Sequence, residues 1–264
     1  MNSGSALVED CTNYGKISID VELSSGYLGG IVGSGENGSL KLTVRSSENH
    51  GELIAKGNAA QISVGGIIAA SDALEITKCH NSGKISVGCD SFAYVGGIAG
   101  MVKKASITLC YNVADVTLEG SGFTYCAGIV GFAQYSSLSI SSSYNSGRIT
   151  VLGGDFAYAT GILGGINLPE EKTFITSVLN AGKISVGEES SGSALASGIV
   201  GFIDGEIDLQ RCYTLYAYNE GYGTSTSKTE LGTKDFYSEA LGWSEDEWDL
   251  SSINTLTENY PTLK

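Results

Sequence analysis

Proline is nearly missing from this chain, with 2 in 264 residues. Helix breaks and polyproline linkers therefore cannot organise it. Basic residues are few: 15 Lys+Arg stand against 29 Asp+Glu, a formal charge of −14. That balance excludes wrapping a nucleic acid, whose phosphates demand a basic face, and disfavours docking on anionic lipid. No apolar run approaches the ~18 residues of a membrane span, so direct membrane insertion is not expected. Histidine occurs twice, at His50 and His80. The opening MNSGSALVED has neither a basic nor an apolar region of the kind a signal peptide needs. No helical apolar period appears before residue 215; two-residue alternation dominates, as in Lys84-Ile85-Ser86-Val87.

Glycine is abundant, at 37 residues or roughly twice the usual share. It belongs to a repeat. The segments CTNYGKISI, SENHGELIA, CHNSGKISV, CYNVADVTL, SYNSGRITV and VLNAGKISV carry Asn13, Asn49, Asn81, Asn112, Asn145 and Asn180, spaced by 36, 32, 31, 33 and 35 residues. Between them recur LGGIVG, VGGIIA, VGGIAG, CAGIVG, ATGILG and ASGIVG, each with a Gly followed by Ile: Gly30, Gly66, Gly97, Gly128, Gly161 and Gly198. A seventh copy opens at LQRCYT. Units of about 33 residues cannot bury an apolar face alone and must stack.

The fold expected is all-β: a parallel β-solenoid of about six three-stranded coils over 1–214, with a small mixed C-terminal cap over 215–264. Equivalent residues then lie about 4.8 Å apart. One apolar column runs Ile17, Leu53, Ile85, Val116, Ile149, Ile184; another runs Val8, Val44, Ile76, Ile107, Ile140, Ile175, Leu209. Val95 and Ile98 both read as buried, which strict alternation forbids, so a bulge or kink at Gly96–Gly97 is expected. The Asn column reads as a tight turn, because Asn tolerates left-handed backbone, and as an amide ladder bonding along the rod.

These paired blocks, N-x-G-x-I and G-G-I-V-G, resemble the GLUG-motif repeats of bacterial cell-surface and secreted proteins, over about residues 8–214. The resemblance implies an extracellular β-solenoid, found beside anchoring, adhesive or peptidase regions, including those of IgA-peptidase-type chains. The H-E-x-x-H peptidase motif is absent from this sequence. The role implied is a non-catalytic extracellular module, adhesin-like or a presenting stalk, monomeric within a larger chain and meeting a host or cell-wall glycan or protein. The rival is a polysaccharide-acting β-helix enzyme or a glycan-binding module; an acid pair with an Arg or Lys in one groove would favour the enzyme.

Tyr27, Tyr94, Tyr125 and Tyr158 share one repeat position and form a candidate binding strip; packing over the Gly-rich strand is the simpler role. Cys11, Cys79, Cys110 and Cys212 share another position with Ser47, Ser143 and Val178, which suggests a small inward slot holding free thiols. Cys89 and Cys126 stand elsewhere. No C-x-x-C pair exists, so no metal and no cofactor is expected. Lys16, Glu52, Lys84, Asp115, Arg148 and Lys183 read as a solvated charge ladder. Glu22, Asp90, Glu119, Asp155, Glu188 and Glu189 read as a solubilising rim. Asn37-Gly38-Ser39 is a lone glycosylation sequon.

The tail carries nine acidic residues, three Lys, and both tryptophans, Trp243 and Trp248. GYGTSTSKTELGT reads as a loop. Lys234–Leu241 reads as a helix, capped by Thr233 and closed by Gly242. The two tryptophans are expected to cap the open end of the last coil.

Overall fold

The computed structural model describes residues 4–22, 24–36, 40–135, 137–167, 171–187, 192–218, 222–251, 253–254 and 259–264. Glu188, Glu189 and the Asn37 sequon lie outside them. The architecture is a β-solenoid of about six turns, every coil-to-coil pairing being parallel. The third coil serves as the example. It runs through Ile85–Cys89 in a first sheet, Phe92–Gly96 in a second, and the long strand Ala99–Thr108 followed by Tyr111–Asn112 in a third.

Both apolar columns pair in the expected register. Ile85 lies between Leu53 and Val116, and Ile107 between Ile76 and Ile140. Alternation sends one residue of each pair inward, and identical spacing in each coil brings like residues together.

The double glycine is a corner. The chain leaves the second sheet at Gly96 and enters the third at Ala99. Val95 faces one apolar cluster, with Ile85, Val116 and Leu118, while Ile98 faces another, with Ile76, Ile107 and Val130. This is how both are buried. Between the two clusters the coil is pinched. A Cβ on Gly97 would meet the Gly128 carbonyl oxygen at 2.2 Å and the Asn112 side chain at 2.5 Å. The glycine column is thus the wall against which the asparagine column lies.

That asparagine column is an amide ladder. Asn13, Asn49, Asn81, Asn112 and Asn145 each donate from Nδ2 to the Oδ1 of the next Asn, at 2.7–2.9 Å. Each also donates to a carbonyl of its own coil two residues on, as Asn81 does to Gly83 at 3.0 Å. Asn49 through Asn180 are fully buried. A turn does follow each Asn, as where Asn81 Oδ1 accepts from Gly83 N–H at 3.2 Å, but the left-handed backbone is not at the Asn itself. These residues occupy short extended strands pointing inward. The left-handed corner comes three residues earlier, at Asp10, Ser46, Lys78, Leu109, Ser142, Ser177 and Arg211, with φ of 44–58°.

The slot residues close this corner. Cys79 Sγ donates to the Thr77 carbonyl at 3.3 Å, Cys110 to Thr108 at 3.3 Å, Ser47 Oγ to Arg45 at 2.9 Å and Ser143 to Ser141 at 2.7 Å. Each bond spans the strained residue, so the position favours a small donor, which Cys and Ser both supply. Val178 fills the slot without the bond. All six cysteines are free, and only Cys11, on the first coil, is not buried. Burial pushes the Cys212 thiol up to about 12, and raises Cys110 and Cys126 as well. Thiolate is the nucleophile. At pH 8 a maleimide should therefore label Cys11 and leave Cys110, Cys126 and Cys212 intact, whereas all six react in denaturant. Mass spectrometry of labelled native protein checks this, and rapid native labelling of Cys110 would contradict the corner role.

The charge ladder forms only at one end. Lys16 pairs with Glu52 at 3.1 Å, both largely exposed. Among the described residues no ion pair joins Lys84 to Glu52 or Asp115; Asp115 instead accepts from the Arg148 backbone N–H at 3.1 Å. Long side chains in water gain little from being held in one geometry.

The tail is mixed as expected but lies elsewhere. Trp243 and Trp248 do not cover the open end. They pack along the flank of the rod, on Tyr111, Tyr144 and Leu179. Their rings stack at 4.5 Å, and Trp243 Nε1 donates to Ser177 O at 2.9 Å. Tyr144 donates from its hydroxyl to Pro261 O at 2.8 Å, and Lys78 pairs with Glu247 at 2.6 Å. The reason is the position just before each Asn. Its side chain points outward, and in later coils it is Tyr111, Tyr144, Leu179 and Tyr213, an apolar stripe that water would otherwise meet. Behind the last coil, Tyr218 packs on one core cluster and Tyr222 on the other. Helix forms from Lys234, with Phe236–Ala240 in a wide π turn; Thr233 Oγ1 accepts from Phe236 N–H at 3.3 Å and Gly242 takes φ +72°. The expected loop holds a short helix, Lys228–Leu231, opened by a Ser227–Glu230 capping box.

Candidate functional site

The outward face of the second sheet carries two aromatic columns. Along each strand residues alternate, so Phe92 and Tyr94 point out while Ala93 and Val95 point in. Register then stacks Phe92, Phe123 and Phe156, and beside them Tyr94, Tyr125 and Tyr158. Tyr27 is half-buried at the start of its column, separated from Tyr94 by Ser63.

The tyrosines are brace more than strip. Tyr125 is 8% exposed. Phe132, from the adjoining third-sheet strand Val130–Gln134, lies 4.9 Å from Tyr94 and 4.7 Å from Tyr125, ring centre to ring centre. Phe202 lies 5.9 Å from Tyr158. A Cβ on Gly165 would strike the Tyr125 ring at 2.8 Å. The tyrosines therefore fill the concave angle left by the glycine-rich strand, and burial raises the pKa of Tyr94, Tyr125 and Tyr158 above the ordinary phenol value.

The exposed strip is the phenylalanine column, two residues earlier, which the sequence reading passed over. Phe92, Phe123 and Phe156 are 42%, 36% and 37% exposed. Their rings stack at 5.1 and 4.6 Å. The signal lay in the repeat itself, in SFAYVGG, GFTYCAG and DFAYATG. A ring stacked on its neighbours turns part of each face along the rod and offers edges outward, so the strip suits apolar contact more than flat stacking on a sugar.

Beside it, at the corner between the first and second sheets, runs an open groove of about 560 Å³ lined by Lys56, Cys89, Asp90, Glu119, Ser121 and Asp155 among others. It gathers three of the acids read as a rim. Lys56, Asp90, Glu119 and Asp155 are all exposed, and Ser121 Oγ donates to the Asp90 carbonyl at 3.1 Å. The chain matches no protein-family model, no curated protein and no solved structure.

Proposed function

We propose that this chain is a non-catalytic extracellular repeat module of a bacterial surface or secreted protein, which uses its rod to present an adhesin-like face to a host or cell-wall glycan or protein. The observation that carries the reading is the exposed ladder Phe92–Phe123–Phe156 beside a polar groove. Three aligned exposed rings form an apolar stripe of the kind that marks a contact surface. Polar and acidic groups alongside supply the hydrogen-bonding rim such surfaces carry. The extracellular setting rests on the resemblance of the repeat blocks to GLUG-motif repeats.

Exchanging Phe123 and Phe156 for Ser should lower the melting temperature by several degrees while the coils stay folded, because roughly two thirds of each ring is covered. Binding on a glycan array, or to purified cell-wall polymers by calorimetry, should fall at least about tenfold. Binding that ignores both substitutions, or no binding by the unaltered protein, would leave a presenting stalk.

The groove favours a second reading, a polysaccharide-acting enzyme, since it brings Asp90, Glu119 and Asp155 together with Lys56. Glycoside hydrolysis needs two carboxyl groups in contrasting environments, one apolar and one polar. Here all three stand exposed, Glu119 near the end of a strand and Asp90 and Asp155 in bends. Release of reducing ends from acidic and neutral polysaccharides, abolished by Asp90→Asn or Glu119→Gln, would establish this reading over the first.

A further inference from the structure

The molecule's two histidines converge. Asn49 follows Glu48 and precedes His50, and the short strands Glu48–Asn49 and His80–Asn81 pair side by side, so Glu48 and His80 are direct neighbours. Both point outward, since the Asn between each and the next residue points in. Glu48 Oε2 lies 3.0 Å from His50 Nε2, and Glu48 Oε1 lies 3.8 Å from His80 Nδ1. The three side chains can bring one ligand atom each within 4.8 Å of one another.

We propose that Glu48, His50 and His80 form a binding site for a borderline divalent transition-metal ion of the zinc class. Two imidazoles and one carboxylate are a donor set that such ions take, with the remaining position open to water or an exogenous ligand. At metal–ligand distances of about 2.0–2.2 Å, donor atoms around one ion stand roughly 3.3–3.6 Å apart. The observed 3.0 and 3.8 Å run to the two oxygens of Glu48, and every donor pair lies within 4.8 Å, so closure on an ion needs side-chain shifts of up to about an ångström.

The surroundings hold the donors in place. His50 Nδ1 lies 2.6 Å from Ser82 Oγ. With its proton on Nδ1 and donated to Ser82, His50 presents a bare Nε2 to the ion, the outer-shell arrangement that fixes a ligating imidazole. The His50 ring stacks on Tyr14 at 5.0 Å, and the His80 ring stacks on Tyr111 at 4.6 Å, nearly parallel. Both rings are thereby held at their orientation before any ion arrives. A recess of about 420 Å³ opens beside them, between Ser82, Tyr111 and Tyr144 on the rod and Asn259 and Tyr260 on the tail. It leaves room for a small ligand on the ion's open side.

The test uses the untagged chain of residues 1–264, titrated with Co²⁺ and Zn²⁺ alone. One equivalent of Co²⁺ should bind with the visible absorption of a nitrogen- and oxygen-ligated ion, and be displaced by Zn²⁺. Zn²⁺ should raise the melting temperature, and EDTA should reverse this. His80→Phe keeps the stack on Tyr111 and Glu48→Gln keeps the shape, so both should fold; each should weaken binding at least tenfold. Ser82→Ala, a positioning change, should weaken it by about tenfold. A cobalt–thiolate charge-transfer band would place the ion on a cysteine and overturn the proposal. So would stoichiometric binding unchanged in His80→Phe and Glu48→Gln, or no binding at micromolar Co²⁺; Glu48 would then serve only as a hydrogen-bond partner between the two imidazoles.

Discussion

Asn112→Ala should cost roughly 3–6 kcal/mol, close to the whole net stability of an ordinary domain. Asn112 is fully buried. Its Nδ2 donates to Asn145 Oδ1 at 2.8 Å and to Ala114 O at 2.9 Å, and its Oδ1 accepts from Asn81 Nδ2 at 2.8 Å and from Ala114 N–H at 3.3 Å. Alanine removes a partner from at least three buried polar groups in three successive coils. Each such loss costs about 1–3 kcal/mol. The void beside Gly97 adds to this, because the glycine wall has no side chain with which to fill it. Asn13 sits at the first coil and is only half-buried. Its replacement by Ala should cost about 1 kcal/mol, since water reaches the groups it leaves. Urea midpoints of the two variants decide the matter: equal losses would mean the ladder does not hold the waist of the rod.

Trp248→Ala should cost about 3–5 kcal/mol, but mostly within the tail. Trp248 is fully buried against Trp243, Tyr144 and Tyr111. Removing it loosens the tail from the flank while every coil keeps both its neighbours. Trp243 fluorescence should then change at a lower temperature than the far-ultraviolet signal of the strands, two transitions where the unaltered protein has one. Two truncations separate flank from end. A chain stopped after Ser225 retains Tyr218 and Tyr222 behind the last coil, and should stay folded while exposing Tyr111, Tyr144 and Leu179 to a hydrophobic dye. A chain stopped after Thr214 also loses Tyr218, Tyr222 and the paired Thr224–Ser225, which bares apolar core side chains of the last coil, and should aggregate. Identical behaviour of the two, or coincident melting in Trp248→Ala, would contradict this division.

The candidate face was half legible. The column Tyr27, Tyr94, Tyr125, Tyr158 was visible as a repeat position, and bracing was its simpler role, which Gly165 and Phe132 now explain. The exposed column two residues earlier obeyed the same rule and carried the same kind of residue. Alternation places both columns on one face but does not say which is covered. That depends on Phe132 and Phe202, reaching over from a different sheet across the corners at Gly128 and Gly198. The groove was legible only as scattered acids: Lys56 and Glu119 share one column of the first sheet, with Gly88 between them, and the turn to the second sheet brings Asp90 and Asp155 beside them.

What the sequence determined by itself is everything that repeats. In a solenoid each residue's nearest neighbours beyond its own coil are its counterparts one repeat away, so a fixed period dictates strand register, the apolar columns and the Asn ladder. The tertiary structure decided what lies across a coil or outside it. The left-handed corner fell before the Asn column, because the Asn amides were needed inside against the glycine wall. The tail's aromatic core went to the flank, where the outward stripe Tyr111–Tyr144–Leu179 offers it an apolar surface, while only Tyr218 and Tyr222 pack on the core clusters behind the last coil. Glu48 and His50 met His80 because pairing sets residue 48 beside residue 80, while His50, one place past its Asn, stands one step along the same outer surface. Cross-section, unlike period, is set by how unlike columns pack against each other, and no single column of the repeat records it.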